Sequence, residues 1–427
     1  MGFLLVLVTV GQQIEFGPFR ADTLNNCLMR DGLPVELRPQ AFQVLCTLAS
    51  HDGQFVGYEQ MIREAWGGTV VSKHTVAVTV GDAKKSLREY GAWITYRPKL
   101  GYRLDVPRSE ELIKKAWHFA NRHTREGFEK AIQTFHEAAD EAPGDFRVYE
   151  GASQALLFLA TWGMCSPRET YAKFLDAHGH AVALRGLTPE LRADRAHGLH
   201  VFERRVDEAE ADLIHARREK PGLPGTQVRL AMLYLSQGRF EESMATLAET
   251  SRSENLSPLV ASTWIVVYLC ARRYDEALDR GRHALDLHPY HQLSRFFYAD
   301  ALECVGRFDE ALAEYRQSSV VSPDLLWLRA MEGGCLARSG RQGEALDLLA
   351  ELKEIQATEY VDAYHLALFE DALGLRDEAI AEMERAVKDN SSMLHMLRVD
   401  PKLDDLRQDP RFDSISERVF AAQLVQA

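Results

Sequence analysis

Between Val71 and Tyr90 the chain reads VSKHTVAVTVGDAKKSLREY, and its apolar residues recur with the period of a helix. Val76, Val80, Ala83 and Leu87 fall at i, i+4, i+7 and i+11, the stripe a helix turns toward a core. The opposite face carries His74, Val78, Gly81 and Lys85, with Asp82 and Arg88 at its edges. A solvated helix face is usually filled with long charged side chains. This mixture instead suits close contact with another surface and predicts a helix lying in a DNA groove.

Upstream, the pattern changes to alternation. From Ile14 to Leu37 it predicts short strands, IEFGPFR and LNNCLMR, then a turn at Asp31-Gly32 and a strand over Leu33 to Leu37. The apolar start, MGFLLVLVTV, lacks a basic leader and a small-residue cleavage site, so an N-terminal strand is expected there rather than a signal peptide. Arg38-Pro39 opens a helix whose apolar face is Phe42, Leu45, Cys46 and Ala49, ending at His51-Asp52-Gly53. A second helix, Tyr58 to Trp66, buries Met61, Ile62, Ala65 and Trp66. Gly67 to Val71 lead to the third, with Ser72 as its N-cap. Trp93 to Tyr96 and Tyr102 to Val106 then alternate as strands on either side of Arg97-Pro98-Lys99-Leu100-Gly101. Small sheet, three helices and basic hairpin follow the order of a winged helix-turn-helix.

Charge strengthens this picture. The 427 residues carry a net charge of −13, which argues against a chain that coats nucleic acid nonspecifically. Residues 1 to 108 nevertheless hold 12 basic against 10 acidic residues, while the remainder has a net charge of −15. Within 70 to 108 the net is +5, so positive charge is concentrated beside the third helix, as phosphate contact requires.

Through ELRPQAFQVLCTLASHDGQFV, REAWGGTVVSKHTV and ITYRPKLGYRL, residues 14 to 107 resemble the OmpR/PhoB-type winged-helix DNA-binding domain of transcriptional regulators. The resemblance implies a third helix in the major groove of double-stranded DNA, a wing reaching the adjacent minor groove, and a loop, Gly67, Gly68, Thr69 and Val70, that touches RNA polymerase. Candidate DNA contacts are Ser72, His74, Thr75, Val78, Thr79, Asp82, Lys84, Lys85 and Arg88 in the helical stretch and Arg97, Lys99 and Arg103 on the wing. Lys84 and Arg88 would bind phosphates, Lys85 a phosphate or a guanine edge, and Val78 a thymine methyl. His74 is read as a phosphate donor or a spectator. Asp82 either repels phosphates or accepts from cytosine N4. Relatives often carry arginine in the stretch Gly81 to Lys85, so Asp82 leaves the base code unread. The resemblance is to phosphorelay regulators, but no receiver domain precedes the match, so phosphorylation of an aspartate is not the expected switch.

After Pro107 the chain turns helical and repeats itself. RRVDEA, GRFEES, RRYDEA, GRFDEA, GRQGEA and GLRDEA begin at 204, 238, 272, 306, 340 and 374, each 34 residues after the last. That is the tetratricopeptide period. Ala209, Ala277 and Ala311 are each followed 12 residues later by proline, and Ala131 with Pro143 and Ala177 with Pro189 extend the pattern upstream. About eight repeats over 109 to 393 are expected, followed by a capping tail over 394 to 427. Residues 110 to 393 thus resemble a tetratricopeptide superhelix, whose concave groove would take a protein, a peptide or a small effector, or assemble a homodimer.

Candidate chemistry is missing. There is no GxxxxGK[ST], HExxH or nucleophile elbow, and the six cysteines form no CxxC pair, so no enzyme, cofactor or metal is expected. His178, His180, His197 and His200 cluster loosely and are read as repeat-surface residues. The longest apolar run after the start, Leu259 to Cys270, is too short to span a bilayer. The reading is a cytoplasmic transcription regulator, α+β winged helix followed by an all-α repeat superhelix. The alternative is a repeat scaffold whose winged helix no longer reads DNA.

Overall fold

The computed structural model describes residues 13–30, 32–223, 225–253 and 257–421; the opening apolar run and Asp31 lie outside it. The chain divides into two compact units, one of residues 1–115 with 140–142, the other of 116–139 and 143–427.

In the first unit, β1 (Gln13–Phe16), β2 (Phe19–Asp22), β3 (Cys27–Arg30) and β4 (Leu33–Val35) form an antiparallel meander in chain order. Alternation buries Phe19, Ala21 and Leu28 on one face, against α1 (Pro39–Ser50), α2 (Tyr58–Ala65) and α3 (Lys73–Ser86). Val76, Val80, Ala83 and Leu87 are all buried in this core, with Trp66 and Trp93 packed on its edge. Ser72 caps α3 by accepting from the Thr75 N–H.

Helix α3 stops short of the periodic stretch. Its last residue is Ser86; Arg88 adopts φ 53° and starts a 3-10 turn, Arg88–Trp93. The chain doubles back so tightly that a Cβ on Gly91 would lie 2.4 Å from the Lys84 carbonyl oxygen. Beyond this, β5 (Ile94–Arg97) and β6 (Gly101–Leu104) form the hairpin. The first unit also takes in two turns of α4 (Arg108–Ala120): Glu110 is buried and Lys114 pairs with Glu15. The boundary between the two compact units thus falls inside α4.

From there α4 is followed by α5 (Arg125–Glu141), α6 (Phe146–Thr161), α7 (Pro167–Arg185), α8 (Pro189–Gly198) and α9 (Val206–Glu219). The series continues with α10 (Thr226–Ser236), α11 (Phe240–Ser253), α12 (Pro258–Cys270), α13 (Tyr274–Leu287), α14 (Gln292–Cys304) and α15 (Phe308–Val321). It ends with α16 (Leu326–Arg338), α17 (Gln342–Gln356), α18 (Ala363–Ala372), α19 (Arg376–Asp389) and α20 (Pro410–Ala421). Antiparallel neighbours stack into an all-α superhelix.

The repeated phrase is the corner of each pair. Its first residue is left-handed at all six positions: Arg204, Gly238, Arg272, Gly306, Gly340 and Gly374, with φ between 55° and 84°. The next N–H then bonds back five residues, as from Arg239 to the Tyr234 carbonyl and from Arg307 to Leu302, which satisfies the end of the preceding helix. Arg205, Arg239, Arg273, Arg307 and Arg341 each pair with the glutamate three residues on. The closing residue, alanine in five phrases and Ser243 in the other, is wholly buried, because only a small residue lets the two helices approach.

Two corners hold arginine where glycine would be free of strain. A left-handed non-glycine residue costs about 1–2 kcal/mol. Their side chains do something glycine cannot: Arg204 donates to Asn390 Oδ1 (2.6 and 2.8 Å), and Arg272 donates to the Val399 carbonyl (2.9 Å) and Asp404 (2.8 Å). Both reach the segment after α19. That segment, 390–409, is more than a cap. Three 3-10 turns lay Leu394, Met396, Leu397, Val399, Leu403 and Leu406 against the inner helices, and Met396 and Val399 join a core cluster with Val228, Val260 and Trp264.

Lys402 is the deepest anchor. Its ammonium is 2.5 Å from Asp300, 2.7 Å from Glu303 and 2.7 Å from the Tyr315 hydroxyl, with its side chain 5% exposed. Burial pushes Glu303 up, but Lys402 and Arg338 outweigh it and hold its carboxyl at about 2. As a result α14, α16 and α18 are buried nearly all round, whereas α13 and α15 bury a single stripe. Residues of the segment 390–409 thus pack against α10, α12 and α14.

The histidines also differ from expectation. His178 and His200 are buried, bonded to the Leu191 carbonyl and to Ser236 Oγ, and His197 bonds Thr161 Oγ1. They are interior ties between helices; His180 alone of the four is exposed.

Candidate nucleic-acid interface

Helix α3 presents one face to the core and the other outward. His74, Val78 and Lys85 are exposed, Val78 by 48%, and Gly81 leaves open space around its backbone. This is the outer face the spacing predicts, and it is shallow in the middle and basic at the C-terminal end. Thr75 and Thr79 are spent partly on the helix itself: Thr75 Oγ1 meets Ser72 Oγ, and Thr79 Oγ1 donates to the Thr75 carbonyl. Lys84 is half-buried. Arg88 is exposed but sits past the end of α3, so its side chain belongs to the turn and not to the helix face.

Asp82 has a partner that the sequence did not suggest. Arg38 Nη1 donates to Asp82 Oδ2 at 3.0 Å, with the Arg38 side chain 79% exposed and that of Asp82 27%. Arg38 is the N-cap of α1, a place where Ser, Thr, Asp or Asn is worth about 1 kcal/mol, and it makes no capping bond. Nothing local in the sequence links positions 44 apart; the packing of α1 across α3 joins them.

The wing is braced from below. Arg97 and Arg103 both lie over the Phe55 ring, at 5.5 and 4.9 Å, and Arg103 also pairs with Asp105. Arg103 is therefore half-buried and held to the base of the hairpin, while Arg97 and Lys99 stand exposed at its tip. Lys99 is left-handed at φ 72°. Gly101 is needed for space as well as conformation: at φ 104°, a Cβ there would fall 2.0 Å from the Val56 carbonyl oxygen. That carbonyl accepts from the Tyr102 N–H, which sews the wing to the strand-like residue before α2. The loop Gly67 to Val70 is exposed throughout, and Val70 is 92% accessible. Tyr58 donates to the Val71 carbonyl and fixes the loop where it enters α3.

Comparison with known proteins agrees with this geometry. Residues 32–104 match the family described as Transcriptional regulatory protein, C terminal. This segment is an OmpR/PhoB-type winged-helix domain. Over 86 residues the chain is 29% identical to Transcriptional activator CadC of Escherichia coli (strain K12), a stretch covering 19% of this chain and 17% of CadC. The chain thus matches less than a fifth of that protein's length. Over 86% of this chain the fold is similar to 84% of a human IFIT1 dimer with PPP-AAAA, at TM-score 0.54 and 13% identity. A human IFIT1 dimer with m7Gppp-AAAA gives 0.54 and 13% over 85% of each. Both are tetratricopeptide proteins, and the likeness is one of fold. What these matches establish concerns the segment 32–104. Among the described residues, no helix is long and apolar enough to cross a membrane.

Proposed function

We propose that this chain is a cytoplasmic, sequence-specific regulator in which α3 reads the major groove and the wing grips the flanking backbone. The observation that carries the reading is the outward face of α3, with Lys85 and the exposed Arg97 and Lys99 all within the matched domain. Val78, exposed beside the small Gly81, offers an apolar contact of the kind a thymine methyl takes. Gly67 to Val70 is an accessible loop suited to meeting RNA polymerase.

The repeat unit supplies the input: a protein, a peptide, a small effector or a second subunit acts on it and alters DNA binding. Because 390–409 cover the inner helices, an input on that face has to displace them; otherwise it docks on the outer helices. No catalytic role is proposed. One winged helix reads few base pairs, so tight binding is expected to use two copies on repeated half-sites. Mapping the genomic sites bound by the full-length chain, with Lys85→Glu as the control, tests this. Loss of site occupancy in the variant supports the reading, and equal occupancy refutes the contact assignment.

A further inference from the structure

We infer that Arg38 is an additional DNA contact and that Asp82 acts as its positioning residue. The inference rests on the proposed reading of DNA by α3. Asp82 lies on α3 one position from Gly81 and three from Lys85, at the border of the outward face. Its Oδ2 takes the Arg38 guanidinium at 3.0 Å, so the base of that side chain is on α1 and its charged end is beside α3.

The pair is poorly suited to a purely stabilising role. Arg38 is 79% exposed, and an ion pair so open to water is screened and adds little to folding. The same position forgoes the helix cap that a serine or aspartate would make. What the arrangement does provide is a guanidinium held at a defined place next to the DNA-facing side of α3. It has donors to spare, since a guanidinium carries five and Asp82 Oδ2 accepts from one of them, on Nη1. A planar fork of this kind suits a backbone phosphate, the chemistry in which arginine surpasses lysine.

This changes the reading of Asp82. A carboxylate facing the groove alone would repel phosphate or accept from a cytosine amino group. With its charge met by Arg38, it serves to aim a cation. The chain thus recovers a positive group beside a helix position where an acidic residue would otherwise weaken the surface.

The test uses the full-length protein and a duplex selected by it from a random-sequence DNA library, with affinity measured by fluorescence anisotropy across a salt series. Arg38→Ala is expected to weaken binding about 5- to 10-fold at 0.1 M salt, equally for all bound sequences, and to lower the salt slope by about one. Arg38→Lys should retain most of the slope. Coupling decides the role of Asp82: in an Asp82→Asn background, Arg38→Ala should cost only about 2-fold, and a second selection with Asp82→Asn should return the same preferred bases. An unchanged affinity and slope for Arg38→Ala overturns the contact. An equal cost in both backgrounds, or a changed base preference for Asp82→Asn, overturns the positioning role. Failure of the underlying reading looks different: no duplex is selected, or Lys85→Glu binds the selected duplex as tightly as the unaltered chain.

Discussion

Replacing Lys402 by methionine tests whether residues 390–409 hold the repeat unit together. The substitution keeps the length of the side chain and removes the ammonium from between Asp300, Glu303 and Tyr315. Two carboxylates, 9% and 2% exposed, are then left with Arg338 as a neighbouring cation, 2.6 Å from Glu303. Removing one partner of a buried ionic cluster costs about 3–5 kcal/mol, because the other charges cannot return to water. For a unit of this size that corresponds to a melting temperature lower by roughly 5–8 °C. The loss should be larger at pH 8 than at pH 5, since burial already raises the Asp300 pKa and, without Lys402, this carboxyl escapes the penalty by taking a proton. The assay is thermal and urea unfolding followed by near-ultraviolet circular dichroism, with limited proteolysis to detect release of 390–409. Lys388→Met, on the exposed side of α19, should change stability by less than about 0.5 kcal/mol. The triple change Lys402→Met, Asp300→Asn, Glu303→Gln should recover most of the loss. A Lys402→Met chain within about 1 kcal/mol of the parent, at both pH values, would refute the claim that this cluster anchors the segment.

Four further outcomes follow from the same structure. Arg272→Ala should destabilise more than Arg272→Gly by about 1 kcal/mol in urea unfolding, because both lose the bonds to Val399 and Asp404 while only glycine relieves the left-handed strain. Gly101→Ala should cost about 2–3 kcal/mol in the first unit's melt and weaken DNA binding, since the new methyl collides with the Val56 carbonyl at the wing base. Lys85→Glu should leave the melting temperature within 1–2 °C, the residue being exposed, while abolishing binding to selected DNA in a mobility shift. His395 is held at about 4 by burial, against His200 and near Arg204. As pH falls from about 6.5 to about 4 the unfolded chain gains a proton that the folded chain refuses, so stability falls by up to about 3 kcal/mol across that window. Glu150, raised to about 7 by burial, works in the opposite direction, so the effect is read as the difference between the parent and His395→Asn.

Local pattern determined a great deal here. The stripe Val76, Val80, Ala83 and Leu87 needed only the helical period to be assigned to a core, and its opposite face followed at once. The 34-residue phrase was legible because each copy meets the same local demand: a left-handed corner and a small residue where two helices cross, with an Arg-to-Glu pair three residues apart in five of the six. These are requirements met within a few residues, and periodicity exposes them. The end of α3 was not legible, because Gly91 returns over Lys84 through a turn that no heptad signals.

What the tertiary structure alone decided is long-range and polar. Arg38 with Asp82, Arg272 with Asp404, and Lys402 with Asp300 each join residues far apart in sequence through single charged contacts. Charged residues have no periodic signature and are ordinarily assigned to solvent, so the sequence makes Lys402 look like a surface lysine and Asp82 like a free carboxylate. Only the path of the chain, which brings α1 beside α3 and turns 390–409 back along the inner helices, reveals that one is buried and the other already paired.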